Sequence, residues 1–157
     1  MLTAELPPSI RHAIAAGEMV VLNELEGEAV NQLLLEKFPF SGSFIDWKNT
    51  KNHTSNSGLT ATAVEEIFPR FFCEHLSECD LDPAIYASDG APLKLRGTVA
   101  AFEKNLQAFI DLPHTNYFIA ADGSWCLTLR MNGEMDFGES IDGRPSANHL
   151  TADVPSS

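Results

Sequence analysis

The segment NYFIAADGSWCLTLRMNGEMDFG, Asn116 to Gly138, most constrains the fold of this chain. Two tight-turn signals, Asp122-Gly123 and Asn132-Gly133, separate three apolar-rich runs. Asn-Gly and Asp-Gly pairs accept the left-handed backbone of hairpin turns, so the pattern predicts a three-stranded antiparallel meander. Burial tests its register. A two-residue turn at Asn132-Gly133 pairs Leu129 with Asp136 and Thr128 with Phe137, mixing apolar and charged residues on both faces. A three-residue loop with Gly133 as a left-handed bulge glycine shifts the pairing by one. Leu129 then faces Met135 and Leu127 faces Phe137, while Arg130, Thr128, Glu134 and Asp136 share the other face, toward solvent or a partner. The bulged turn sorts both faces and is the expected one. For the first hairpin, pairing of Leu127 with Phe118 or with Tyr117 stays open.

Upstream, Pro8 to Ala16 reads as a short helix closed by Gly17, and Glu18 to Leu22 as a strand. Asn23 with Glu26 three residues later resembles a helix start, weakened by Gly27 only at the first turn, for a helix whose apolar face is Ala29, Val30, Leu33, Leu34 and Phe38, ended by Pro39. The aromatics Phe38, Phe40, Phe44 and Trp47 are too many for a solvated loop and are expected to pack down. Asn49 to Gly58 is polar and is expected to be a mobile loop. Thr62 with Glu65 suggests a capping box ahead of Val64, Ile67, Phe68, Phe71, Phe72 and Leu76. Pro69 interrupts that stripe and predicts a kink or a fresh helix. Pro83 to Ser88 suits a strand. Thr98 caps an amphipathic helix through Val99, Phe102, Leu106, Phe109 and Ile110. The fold class is α+β: an antiparallel sheet with a C-terminal three-stranded meander and helices packed on one face. Residues 1–139 form one domain, and 140–157, poor in apolar content, a flexible tail.

Charge narrows the partner class. The 157 residues carry a net charge of −12, and division at residues 50 and 112 leaves each segment at −4. The field is acidic everywhere; it repels nucleic acid and anionic membranes and speeds encounter with basic partners. No apolar run approaches the ~20 residues of a membrane span. The N-terminus lacks a basic leader with an apolar core, and three cysteines without framework spacing suit a reducing compartment, so the expected location is cytoplasmic.

Motifs of chemistry are few. CEHLSEC places Cys73 and Cys79 six apart, about 600° around a helix, so they point in opposite directions and do not make a zinc pair. Cys73 and Cys126 sit among apolar or acidic neighbours that do not activate a thiol. No nucleophile elbow, phosphate loop or dinucleotide fingerprint is present, and His12, His53, His75, His114 and His149 are scattered. Glu134 and Asp136 lie about 7 Å apart along one strand face, a spacing open to hydrolase chemistry but more usual in a salt-bridged surface beside Arg130. No catalytic residue, metal or cofactor is assigned. Binding is the expected business, through Asp46, Trp47, Asp122, Arg130, Glu134, Asp136 and Glu139. Aromatic anchors ringed by charge are what tight interfaces use. Trp47 reads equally as such an anchor or as a lid over the core. An exposed strand edge would allow a homodimer, but nothing fixes the oligomeric state.

LLLEKFPFSGSFIDW, followed after a helical middle by NYFIAADGSWCLTLRMNGEMDFG, resembles small acidic immunity proteins of bacterial polymorphic-toxin and contact-dependent growth inhibition systems. The resemblance spans the order of elements over most of the chain and rests on apolar patterning and a hairpin. It implies a cytosolic, non-enzymatic protein that binds one cognate toxin domain, often a basic nuclease, and occludes its active site. It supplies no residue-level motif, so the interface residues above come from this sequence alone. Two rivals stand beside it: a phage- or plasmid-borne inhibitor mimicking nucleic acid, and a small hydrolase using Asp122, Glu134, Asp136 or a histidine. The first predicts carboxylates spaced like phosphates along one ridge. The second predicts a deep polar pocket with convergent titratable groups.

Overall fold

The computed structural model describes residues 6–76, 83–89 and 93–141. The first half runs α1 (Pro8–Ala15), β1 (Met19–Val21), α2 (Glu24–Lys37), β2 (Phe40–Ser41), β3 (Phe44–Ile45), a 3-10 turn at Trp47–Asn49, β4 (Lys51–Ser57) and α3 (Ala61–Leu76). Then follow β5 (Ala84–Ser88), β6 (Lys94–Gly97), α4 (Val99–Lys104), α5 (Leu106–Ile110), β7 (Asn116–Ala120), β8 (Trp125–Leu129) and β9 (Glu134–Glu139). Seven strands form one antiparallel sheet in the order β1-β6-β5-β7-β8-β9-β4, and β2-β3 make a separate small ribbon.

The meander is β7-β8-β9, in the bulged register. Leu129 pairs with Met135, Thr128 with Asp136 and Leu127 with Phe137. Gly133 has φ +90° and its N–H donates to the Arg130 carbonyl at 2.9 Å, the geometry that only a residue without Cβ adopts cheaply. In the first hairpin Phe118 pairs with Leu127, which settles the open alternative.

Strand alternation sends successive side chains to opposite faces. On one face Tyr86, Phe118, Trp125, Leu127, Leu129, Met135 and Phe137 pack under α1, α3, α4 and α5 in the larger core. Phe118 is its hub: its ring lies 5.4–6.4 Å from those of Phe68, Phe72, Tyr86, Phe102 and Phe109. The opposite face carries a smaller core in which α2, through Val30, Leu33 and Leu34, meets Ile85, Ala87, Tyr117, Ile119 and Cys126. The helical layer expected over the meander is present; α2 is a second, thinner layer beyond it.

Local signals explain most helix ends. Asn23 Oδ1 accepts from the Glu26 N–H and Glu26 Oε1 from the Asn23 N–H, completing the capping box of α2. Ala29, expected on the buried stripe of that helix, is exposed. Thr98 caps α4 through the Ala101 N–H. The continuous helix expected beyond it breaks at Asn105, whose Nδ2 donates to the Ala101 carbonyl and whose backbone leaves helical angles, so α4 and α5 are separate short helices.

Three further expectations are corrected. The cap of α3 is Thr60, whose Oγ1 accepts from the Ala63 N–H, and Thr62 lies inside the helix. Of the two readings of Pro69 the fresh helix is excluded, since α3 runs through it as one element. The largest correction concerns Asn49 to Gly58: Lys51–Ser57 within it is an edge strand, with Thr54, Ser55, Asn56 and Ser57 paired to Phe137, Asp136, Met135 and Glu134. Its polar side chains are nearly all exposed, as suits an edge, so it carries no apolar alternation to betray it. Residues 142–157 of the expected tail lie outside the described residues, as does Cys79. No helix among the described residues is long and apolar enough to cross a membrane.

Candidate functional site

The outer half of the sheet, β8-β9-β4, collects most of the candidate residues. Even-numbered positions of β9 point away from the larger core, so Glu134, Asp136 and Gly138 share that face with Thr128 and Arg130. At its tip Arg130 Nη1 donates to Glu134 Oε1 at 2.9 Å, and the guanidinium lies 4.2 Å from the centroid of the Phe44 ring.

The middle of this face was expected to be open and is instead covered. The aromatics after α2 need burial, and the β2-β3 ribbon and the 3-10 turn bring them down onto the sheet. Ile45 and Phe38 join the smaller core, and Trp47 and Phe40 pack against it. Gly138 is the seat of Trp47: a Cβ there would lie 3.0 Å from its Cζ3 and 2.8 Å from Thr50 Oγ1. Thr128 is therefore 2% exposed and Asp136 7%, although both follow the expected register.

Beneath Trp47 lies a pair that the sequence did not bring together. Asn52, with φ +54°, sits where the β4-β9 register shifts between Lys51 and Thr54. His53 Nε2 comes within 2.8 Å of Asp136 Oδ1, and its ring stacks on Trp47 at 5.5 Å and 18°. Burial pushes the Asp136 carboxyl above its usual range, opposed by the His53 contact, reinforced by Glu134 and opposed again by Arg130. The buried Thr128 Oγ1 has no hydrogen-bond partner among the described residues. Beside this pair an open depression of about 390 Å³ is lined by Ser55, Asn56, Ser57, Glu134, Met135 and Asp136.

Of the seven candidate residues, Trp47, Arg130, Glu134 and Asp136 meet through these contacts, and Asp46 joins them as the residue before the 3-10 turn. Asp46 is half-buried, and its Oδ2 accepts from Asn49 Nδ2 at 2.7 Å. Asp122 and Glu139 stand apart. Asp122 occupies the β7-β8 turn, where its Oδ1 accepts from the Ser124 N–H. Glu139 pairs with Trp125 across the strands, on the opposite face from Asp136, and accepts from Asn52 Nδ2 at 2.8 Å. Trp47 is partly buried and acts as a lid on Gly138.

Neither described thiol, Cys73 or Cys126, is set up as a nucleophile. Cys73 Sγ donates to Glu103 Oε2 at 2.9 Å, and that hydrogen bond, with burial and the Glu103 charge, pushes its pKa up to about 11. Complete burial raises Cys126 further. Among the described residues no group of three His, Cys, Asp or Glu is placed to hold a metal ion. Sequence reasoning missed His53 because its partner is 83 residues away and its own strand was read as a loop. No protein-family model matches the chain, and no curated protein matches it significantly.

Proposed function

We propose that this protein is a cytoplasmic, non-enzymatic immunity-type inhibitor that binds and neutralises a cognate bacterial toxin domain through its acidic surface. A basic nuclease is the target that suits it: carboxylates pair with the Lys and Arg side chains such an enzyme uses for phosphate, and occlude them. The observation that carries the reading is the grouping of Trp47, Asp46, Arg130, Glu134 and Asp136 on one edge of a chain with a net charge of −12. Trp47 offers a rigid aromatic anchor, Phe44 adds apolar area at 40% exposure, and Glu134 remains exposed at the rim.

The test begins with the gene immediately upstream. Its C-terminal domain, purified and titrated calorimetrically into this protein, binds tightly, and Trp47→Ala weakens the complex by about 30-fold, the loss of ~2 kcal/mol typical of an interface anchor. A neighbour without a toxin-like domain, or one that does not bind, overturns the proposal.

One observation favours a second reading. An Asp136 carboxyl with a raised pKa contacts His53 beside a depression lined by Ser55 and Ser57, an arrangement a small hydrolase would use. Turnover of ester or phosphodiester substrates that disappears in both His53→Ala and Asp136→Asn would establish that reading and displace the first.

A further inference from the structure

A second concave feature lies on the same face of the sheet, toward β5 and β6 and away from the His53–Asp136 pair. It is a groove of about 700 Å³ between α2 and the strands. Its floor is apolar, made by Leu22, Val30, Leu33 and Ile85, whereas the α2 stripe that borders it starts at Glu26 and ends at Glu36. Ten residues at 1.5 Å rise separate those carboxylates by about 15 Å along the helix axis. Asp122 adds a third carboxylate at the Glu36 end, since the adjoining Gly123 sits against Leu33 and Lys37. Arg96 is the one basic residue in the lining. The walls are α2 and paired strands, so the groove is preformed.

We propose that this groove receives a basic amphipathic helix of a partner protein, apolar side down, with Lys or Arg flanking the apolar stripe about 15 Å apart. Charge complementarity selects the occupant. An apolar trough alone accepts any amphipathic helix, but three carboxylates against one guanidinium, within an acidic chain, reject an acidic one. The spacing of Glu26 and Glu36 further asks for cations ten or eleven residues apart on the incoming helix. This inference reaches beyond the meander-edge interface and stands whether or not the partner is a toxin.

The probe is a fluorescein-labelled 18-residue peptide with leucines at helical spacing and lysines ten and eleven residues apart, beside its counterpart with glutamate for lysine. Fluorescence anisotropy with the full chain should show binding of the lysine peptide only, weakened by salt. Ala29 lines the groove and is exposed, so Ala29→Arg fills the trough without disturbing the core and should weaken binding by at least about tenfold. Glu36→Gln should cost about fivefold. Glu28→Gln makes the same charge change as Ala29→Arg on α2 outside the groove lining, and should leave affinity within about twofold. Circular dichroism confirms that each variant is folded. Absence of binding, equal binding of the glutamate peptide, or equal losses in Ala29→Arg and Glu28→Gln overturns the proposal. So does self-association of the unaltered chain that Ala29→Arg abolishes, because the occupant is then a second copy. Groove-dependent binding with no toxin next door removes the proposed function and leaves this inference standing.

Discussion

Three glycines with positive φ form a graded test of what holds the meander to its neighbours. Gly42 has φ +67° and no atom within 4 Å of a built Cβ, so Gly42→Ala adds only backbone strain, about 1 kcal/mol. Gly123 has φ +78°, and its Cβ would lie 2.8 Å from Lys37 Cγ and 2.9 Å from Leu33 Cδ1. Those side chains shift at the cost of crowding a packed layer, which brings Gly123→Ala to about 2–3 kcal/mol. Gly133 has φ +90°, and its Cβ would fall on the carbonyl oxygen of Gly58, a backbone atom that cannot rotate away. Separation of the two chains also breaks the 3.0 Å bond from the Gly58 N–H to the Gly133 carbonyl. Strain, displacement and the lost bond place Gly133→Ala at about 3–4 kcal/mol. Urea unfolding of the three variants should rank them in that order, and hydrogen exchange in Gly133→Ala should rise first in β4. A Gly133→Ala midpoint equal to that of Gly42→Ala would refute the argument.

Phe118→Ala removes the ring that five others contact and should cost about 3–5 kcal/mol in urea unfolding. Burial lowers the pKa of His75, which stacks on Phe137 at 4.6 Å; the unfolded chain then binds protons more readily just below 6.5, so stability falls as pH drops through that value toward the folded one. Unfolding midpoints of His75→Gln across that window should be flatter than those of the unaltered chain. The raised Asp136 pKa works the other way: this group adds stability as pH falls through the folded value toward 3.8, and Asp136→Asn should lack that gain.

The legible part of the fold was the part with local chemistry. The Asn132-Gly133 turn, the segregation of Leu127, Leu129, Met135 and Phe137, and the Asn23–Glu26 box each sit within a few residues, where pattern and backbone preference agree. What stayed hidden depends on distant partners. KNHTSNS has neither apolar alternation nor strong strand formers in number, and it is a strand because β9 offers it an unpaired edge. Asn105 interrupts a well-patterned helix by bonding its own preceding turn, a local competition that apolar spacing does not report. The site followed the same division. Register placed Arg130, Glu134 and Asp136 on one face correctly, but burial of that face depends on the ribbon and turn after α2, which no periodicity locates.

That cover changes what an incoming partner meets. Asp136 is 7% exposed and engaged by His53, so little of its charge is presented to a partner. The surface presented there consists of the exposed Phe44 ring held by Arg130, the exposed Glu134 carboxylate, and the half-buried Trp47 and Asp46. An aromatic center with acids at its rim is a better anchor for a basic partner than the bare acidic strand face expected from sequence, because desolvated aromatic contacts carry affinity while rim charges set encounter rate. The His53–Asp136 pair then supports the anchor from below: stacking on His53 limits the orientations of Trp47, and the Asp136 contact limits those of His53. A partner that uses this edge therefore depends on His53 through Trp47, and His53→Ala should slow association little while speeding dissociation.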